Sequence, residues 1–359
     1  MRAPTVSHFL HIFAIFNLLT KHSIASKPHL IRFRLPGLNP KGLAYDPFSE
    51  HFIVASTRQP ILASVSDAGV EQTLIHDTSL PPNSSFQSIA FDKLLRRILV
   101  SVQSIPPSPP YSALAAYDQS SLRRIFLSPL PFEYGSTPVA SAIAMDSTGN
   151  YFVTNSNGNI IWKVNVDGKE SSIWSKSPLF NQQQDNNTTT GTSCGLSGVV
   201  YVNLGYLLVV QSNTGKLFKV DSEGGQAREV AISKKFVGAR GLVLRSDGVL
   251  LVVSKKVWFV KSSDSWGEGV VYDETLLDEK QIATAIVVGR DRKGYVAYGG
   301  DDDGKSAREW FEIEEVQSAV EGEDERIWIY VVMGLGLAYF LIWRFQMRRL
   351  VNGLDKKIN

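Results

Sequence analysis

The chain has 359 residues, 43% of them hydrophobic and 20% charged, and a formal net charge of +2. That length and apolar content can bury one sizeable core, and a charge so close to neutral excludes a nucleic-acid-binding protein, which needs a basic surface to meet phosphates. A single cysteine, Cys194, excludes an internal disulfide framework; it is left to act as an isolated thiol beside the fourth repeat or to pair with another chain.

Residues 1–26 read as a signal peptide. An apolar run at 9–19 follows Arg2 and is followed by the small residues Ala25 and Ser26, which suit cleavage. The run is too short to span a membrane. Its weakly charged head and Lys21 close behind keep a mitochondrial presequence as the alternative. Two acceptor sequons in expected loops, at Asn83 and at Asn187 (overlapped by one at Asn186), favour secretion and glycosylation.

From residue 27 to 315 the chain repeats one phrase six times: a small residue followed by an apolar run. The small residues are Gly42, Ser88, Ala142, Gly198, Gly241 and Ala285, spaced 46, 54, 56, 43 and 44 residues apart. That period belongs to β-propeller blades. After each phrase comes a turn rich in Gly, Asn or Asp, such as 146–150 and 246–248, which supplies the backbone freedom a tight reversal needs. Second strands are expected at 52–56, 98–102, 151–155, 206–211, 250–254 and 295–299, and third strands at 61–65, 112–117, 160–166, 217–220, 257–261 and 308–314. Outer fourth strands fit 72–76, 122–127, 171–174, 227–232 and 269–272.

The sixth repeat lacks a fourth strand, and residues 29–35 offer one by alternating Leu30, Arg32 and Arg34 with Ile31, Phe33 and Leu35. The expected fold class is therefore all-β: a six-bladed β-propeller closed by an N-terminal strand, followed by one C-terminal transmembrane helix. A pair of β-sandwiches is the alternative, which the regular recurrence of strands argues against. The longer intervals are filled by the Pro-rich loop at 105–110 and the polar tract at 181–193.

Past the propeller, an acidic linker at 316–326 carries Glu321, Glu323, Asp324 and Glu325. Residues 327–343 contain no charge and are bounded by Trp328 and Trp343, as expected of a transmembrane helix of about 26 Å, a length suited to the thin endoplasmic reticulum bilayer. The basic tail at 344–359, with Arg344, Arg348, Arg349, Lys356 and Lys357, places the C-terminus in the cytosol and the propeller in the lumen: a single-pass type I protein. The terminal sequence Lys356-Lys357-Ile358-Asn359 resembles the dilysine retrieval signal of endoplasmic reticulum membrane proteins, which implies the retrograde vesicle coat as a partner; a solvated basic tail is the alternative.

The small-apolar-Ala-aromatic-Asp phrases with Asp-x-x-Gly-Asn-Tyr turns, as at 142–151, resemble the senescence-marker, gluconolactonase and strictosidine-synthase-like group of six-bladed propellers. The resemblance covers about residues 28–315. It implies, for its hydrolytic members, a calcium ion on the axis, held by Glu, Asn or Asp just before the small residue that opens an innermost strand, and hydrolysis of lactones or organophosphates. Here those positions are Lys41, Gln87, Ser141, Ser197, Arg240 and Thr284. None is a carboxylate and two are cations, a poor set for an ion that takes six to eight oxygens, so neither calcium nor any other cofactor is expected.

His29, His51 and His76 fall on an outer strand, a turn and an outer strand, away from the mouth. Asp46, Asp92 and Asp146 fall in turns on the opposite face, where capping of the turn accounts for them. Asp301, Asp302 and Asp303 form an acidic cluster expected on the mouth face, as a solvated hairpin, a partner for Lys41 or Arg240, or a peripheral cation site. The reading is a membrane-anchored propeller without catalytic activity that offers its mouth to a lumenal protein or a small anionic ligand. A lactone or ester hydrolase is the alternative, and strictosidine-synthase-like condensation would need a glutamate in the mouth that the sequence does not place.

Overall fold

In a computed structural model, residues 28–133, 135–181, 195–299 and 308–358 are described, with backbone only at 291, 322–330 and 350–358. The signal segment, Asn187, Cys194 and Asp301–Asp303 lie outside the described residues, as do the side chains of Lys356 and Lys357. The chain forms six antiparallel sheets, each entered from its inner strand and built outward. The inner strands are Pro40–Asp46, Ser84–Asp92, Ala140–Met145, Leu196–Val202, Gly241–Leu244 and Ile282–Val288. This is the expected six-bladed propeller.

Closure occurs where the alternation at residues 29–35 places it. Leu30–Arg34 pairs antiparallel with Trp310–Val316, opposing Phe33 to Phe311 and Ile31 to Ile313. The apolar residues of this strand point into the core, and its leucine and arginines face outward. Six hydrophobic clusters fill the molecule, one at each junction between neighbouring blades.

The glycines that open the first and fourth phrases have a packing cause, whereas Gly241 has room for a Cβ, its nearest neighbour lying at 3.7 Å. A Cβ added at Gly42 would meet the Ser88 backbone at 3.0 Å, and one at Gly198 the Leu242 backbone at 3.0 Å. Inner strands of successive blades approach backbone to backbone around the axis, and larger side chains would push them apart.

The turns opposite the mouth are tied by the aspartates that end or follow the inner strands. Asp46 Oδ1 accepts from Phe48 N, Asp92 Oδ1 accepts from Leu94 N and Leu95 N, and Asp146 accepts from the backbone and side chains of Thr148 and Asn150. Burial resists the ionisation of Asp146, but these hydrogen bonds outweigh it and hold the carboxyl below its ordinary value of 3.8. A carboxylate depressed by folding stabilises the native state above its unfolded pKa, and that contribution is lost as pH falls through the folded one. Thermal unfolding should therefore show stability declining below about pH 4, with a shallower decline in Asp146→Asn; identical pH slopes in the two proteins would contradict this.

Several positions differ from expectation. The third strand of blade 6 is Trp310–Val316, not 308–314. In blade 2 the outer strand is Arg124–Pro129, not 122–127: Leu122 N bonds back to Asp118 O and takes a positive φ of 58°, so residues 119–122 close a turn. In blade 4 the stretch at 227–232 is divided. Ala227–Glu229 completes that blade, Val230 turns into the core, and Ala231–Ile232 pairs in parallel with the outer strand of blade 5, Glu268–Leu276. His51, expected in a turn, begins the strand His51–Ser56, with Nδ1 2.9 Å from Ser64 Oγ.

The C-terminal helix runs unbroken from Ala319 to Ile358, 40 residues, through positions read as linker, span and tail. Its start is capped by a serine: Ser318 Oγ accepts from Glu321 N at 3.2 Å and donates to Asp273 Oδ2 on blade 5 at 2.6 Å. Among the described residues no helix is long and apolar enough to cross a membrane. Residues 327–330, which open the expected span, are described as backbone only.

Candidate functional site

The inner strands do not deliver their first residues to the mouth by regular pleating. In five blades the register against the second strand shifts at that point: between Pro40 and Gly42, Phe86 and Ser88, Ala140 and Ile143, Leu196 and Gly198, and Ala283 and Ala285. Lys41, Gln87, Ser141, Ser197 and Thr284 all lie within these bulges, which re-aim a side chain that the pleat would send elsewhere. In blade 5 the strand begins at Gly241, and Arg240 N donates to Val253 O at 2.9 Å.

The six positions then divide by what their side chains do. Ser197 Oγ donates to Ala239 O at 2.7 Å, Thr284 Oγ1 to Ala297 O at 3.2 Å, and Ser141 Oγ to Ser197 O at 3.4 Å. These hydroxyls are spent on backbone carbonyls, two of them in the next blade. Arg240 is exposed. Only Lys41 and Gln87 are joined side chain to side chain, Lys41 Nζ donating to Gln87 Oε1 at 2.9 Å.

From that pair a polar chain runs along blade 2. Gln87 Nε2 donates to Ser85 Oγ at 3.0 Å, and Ser85 Oγ donates to Gln103 O at 3.3 Å. Gln103 Nε2 donates to Pro138 O at 2.8 Å, while its buried Oε1 has no hydrogen-bond partner among the described residues. Above this chain lies a cleft of about 350 Å³, off the axis and between blades 1 and 3, with Lys41, Arg58, Gln87 and Gln103 on its walls. Two cations, Lys41 and Arg58, and three primary amides, Asn39, Gln87 and Gln103, converge there, and no carboxylate is on the walls among the described residues. The arrangement can hold an anion through charge-assisted hydrogen bonds from Lys41 and Arg58.

Arg58, Ser85 and Gln103 were not found from the sequence. The signal was present for Gln103, a polar residue ending the apolar second strand of blade 2, which extends to Ser104. Asn83 also stands on this rim: it is exposed, Ile105 N donates to its backbone oxygen at 2.7 Å, and its Nδ2 donates to Ser108 Oγ at 3.0 Å.

The residues in the ligand positions do not fit the axial calcium of the resembled group. Lys41 is committed to Gln87, the three hydroxyls to carbonyls, and among the described residues no group of three or more His, Cys, Asp or Glu could hold a metal ion.

No family model matches the chain, and no curated protein matches it. Solved structures do. The allergen Mala s 1 of Malassezia sympodialis is similar at 15% identity and a TM-score of 0.66, over 82% of this chain and 97% of its own. A gluconolactonase-like protein matches at 14% identity and 0.54, over 80% and 92%, and virginiamycin B lyase of Staphylococcus aureus at 12% and 0.51, over 81% and 100%. At these identities the likeness shows the propeller fold, which such proteins put to different uses.

Proposed function

We propose that this protein is a single-pass type I membrane protein of the endoplasmic reticulum whose lumenal propeller binds a small anionic ligand without catalysis. The cleft at Lys41 and Arg58 carries the reading: it gathers two cations beside primary amides, and two of its wall residues, Lys41 and Gln87, stand at positions where hydrolytic propellers of the resembled group place anionic metal ligands. The anchor is supported by the described part of the C-terminal helix. From residue 331 to 343 it has no charge, Val332 is 63% exposed, Leu335 67% and Ile342 58%, and no other element of the propeller covers them. Such a face in water would be an aggregation site; in hydrocarbon it is solvated. Arg344, Arg348 and Arg349 follow it as a cytosolic flank, and Lys356 and Lys357 would be read by the retrograde coat.

Titration calorimetry on the full chain in detergent, with citrate and with inorganic phosphate, tests the binding. Saturable binding is expected, weakened about tenfold by Lys41→Ala or Arg58→Ala, the loss of one charge-assisted hydrogen bond, and weakened further by salt. Calcium-dependent turnover of lactones or aryl esters, with no anion bound, would replace this reading with the hydrolase.

A further inference from the structure

We infer that the face opposite the mouth is a membrane-docking surface, which seats the propeller flat on the bilayer and points the cleft into the lumen. The inference rests on the reading of the C-terminal helix as an anchor and adds to it a second point of attachment.

The turns that join inner to second strands all lie on that face, because every inner strand runs away from the mouth. Three of these turns carry large apolar side chains at their tips. Phe48 in blade 1 is 51% exposed, Leu94 in blade 2 is 77%, and Leu204 in blade 4 is 70%. Single exposed apolar residues are ordinary on a protein surface. Here they recur at one topological position in three blades. They are also held outward: Asp46 binds Phe48 N, and Asp92 binds the backbone of both Leu94 and Leu95. A rigid turn loses little conformational freedom on inserting its tip.

Cations flank the apolar tips. The blade 2 turn reads Lys93-Leu94-Leu95-Arg96, all four exposed, and the Arg96 guanidinium lies 4.5 Å from the centre of the Phe48 ring. On blade 6, Arg290 and Arg292 are exposed in the equivalent turn, with Arg290 paired to Glu50 of the blade 1 turn at 2.8 Å. Acids share this face: Glu50 in the Phe48 turn pairs with Arg290, and the outer turns carry Asp67, Asp118, Asp167, Asp221, Glu223 and Asp264, of which Asp118, Asp167 and Asp264 bind backbone amides of their own turns. Leucine tips beside Lys and Arg match the bilayer interface, where apolar groups enter about 5–10 Å and cations meet lipid phosphates.

The helix leaves from this face too. Trp310–Val316 runs from mouth to base, its last residue opposing Gly294 just after the Arg290 turn, and Ser318 and Glu321 fix the helix start to blade 5. The anchor root at blades 5 and 6, Leu204 on blade 4 and Leu94 on blade 2 are thus spread around one face, and three separated contacts fix its tilt. The occupant is the headgroup region of the bilayer that holds the helix.

The test uses the full chain with Cys194→Ser, carrying Leu94→Cys, Leu204→Cys or, on the mouth side, Gln59→Cys. Each is labelled with a polarity-sensitive fluorophore in phosphatidylcholine nanodiscs containing nitroxide lipid. Emission at positions 94 and 204 should shift to the blue and be quenched more than about twofold relative to position 59, as expected for interfacial burial. A chain retained in the disc with all three labels equally unquenched would overturn the docking face, whether the tips meet water or a protein. Alkaline carbonate extraction reports separately on the anchor. A chain that washes off, yet is quenched at 94 and 204 when floated with vesicles, keeps the docking face and loses the span. One that washes off and shows no quenching loses both.

Discussion

Replacing Phe33 with alanine should destabilise the protein by about 3–5 kcal/mol, the cost of removing a buried aromatic ring. Phe33 is 1% exposed and sits in the cluster that joins the last blade to the first, among Ile31, Leu35, Phe52 and Phe311. Its ring centre lies 6.1 Å from that of Phe311, the residue opposite it in the sheet. The loss falls on the one junction made by residues far apart in the chain, so the ring has no neighbouring covalent link to fall back on. The outward face of the same strand offers ion pairs instead, Arg32 with Glu312 and Arg34 with Glu309, at 2.7 and 2.8 Å. Both arginines are more than half exposed, and solvent-screened pairs of this kind contribute under about 1 kcal/mol. Denaturant or thermal unfolding of Phe33→Ala beside Arg34→Ala separates the two faces. Equal losses would mean that closure does not rest on the apolar side of the strand.

That strand was legible because its signal is local: alternation at residues 29–35, and one repeat left a strand short. The same holds for the blades as a whole, since each is a meander of short strands whose turns declare themselves by Gly, Asn and Asp. The turn aspartates were placed correctly for the same reason. What the sequence hid depends on neighbours that are not adjacent in the chain. The run at 227–232 carries no break, yet Val230 is drawn into the core between two blades and Ala231–Ile232 follows the next sheet. The six mouth positions looked equivalent, and only their contacts, most of them across blades, separate the hydroxyls of Ser141, Ser197 and Thr284, bonded to carbonyls, from the side-chain pair Lys41 and Gln87. The bulges that aim them consist of one extra residue each, which no periodicity reveals. One signal was present and unread: Ser318-Ala-Val-Glu321 has the spacing of a capping box, but in a run of acids it resembles a linker.

Glu321 is also where the second large effect is expected. Arg245 Nη1 and Nη2 donate to its two carboxylate oxygens at 2.9 and 2.5 Å, and Arg245 Nε and Nη2 donate to those of Asp247 at 2.8 and 2.7 Å. Tyr272 OH donates to Glu321 Oε1 as well. The guanidinium is 11% exposed, while each carboxylate side chain is about a third exposed. Burial resists the ionisation of Glu321 and is outweighed by Arg245 and Tyr272; for Asp247 the hydrogen bonds from Arg245 lead, against burial. Both carboxyls therefore lie below their ordinary values.

Arg245→Ala leaves two carboxylates facing one another at the helix root without their cation. Breaking a buried pair from one side costs about 3–5 kcal/mol, and solvent screening of the carboxylates puts this case near about 3 kcal/mol. Glu321→Gln keeps an acceptor for Tyr272 and leaves Arg245 its Asp247, so it should cost about 1 kcal/mol. The two variants also differ in pH dependence. Because both carboxyls are depressed in the folded protein, Arg245 stabilises it above the ordinary carboxylate range, and this advantage is lost as pH falls through their folded values. The gap between wild type and Arg245→Ala should therefore be widest near pH 7 and narrow below about pH 4, toward about pH 2. Thermal unfolding at the two pH values reads this directly, and hydrogen exchange of the first helical turn should accelerate in Arg245→Ala alone. A gap of the same size at both pH values would assign Arg245 a packing role and leave Ser318 and Asp273 as the fastening between propeller and helix.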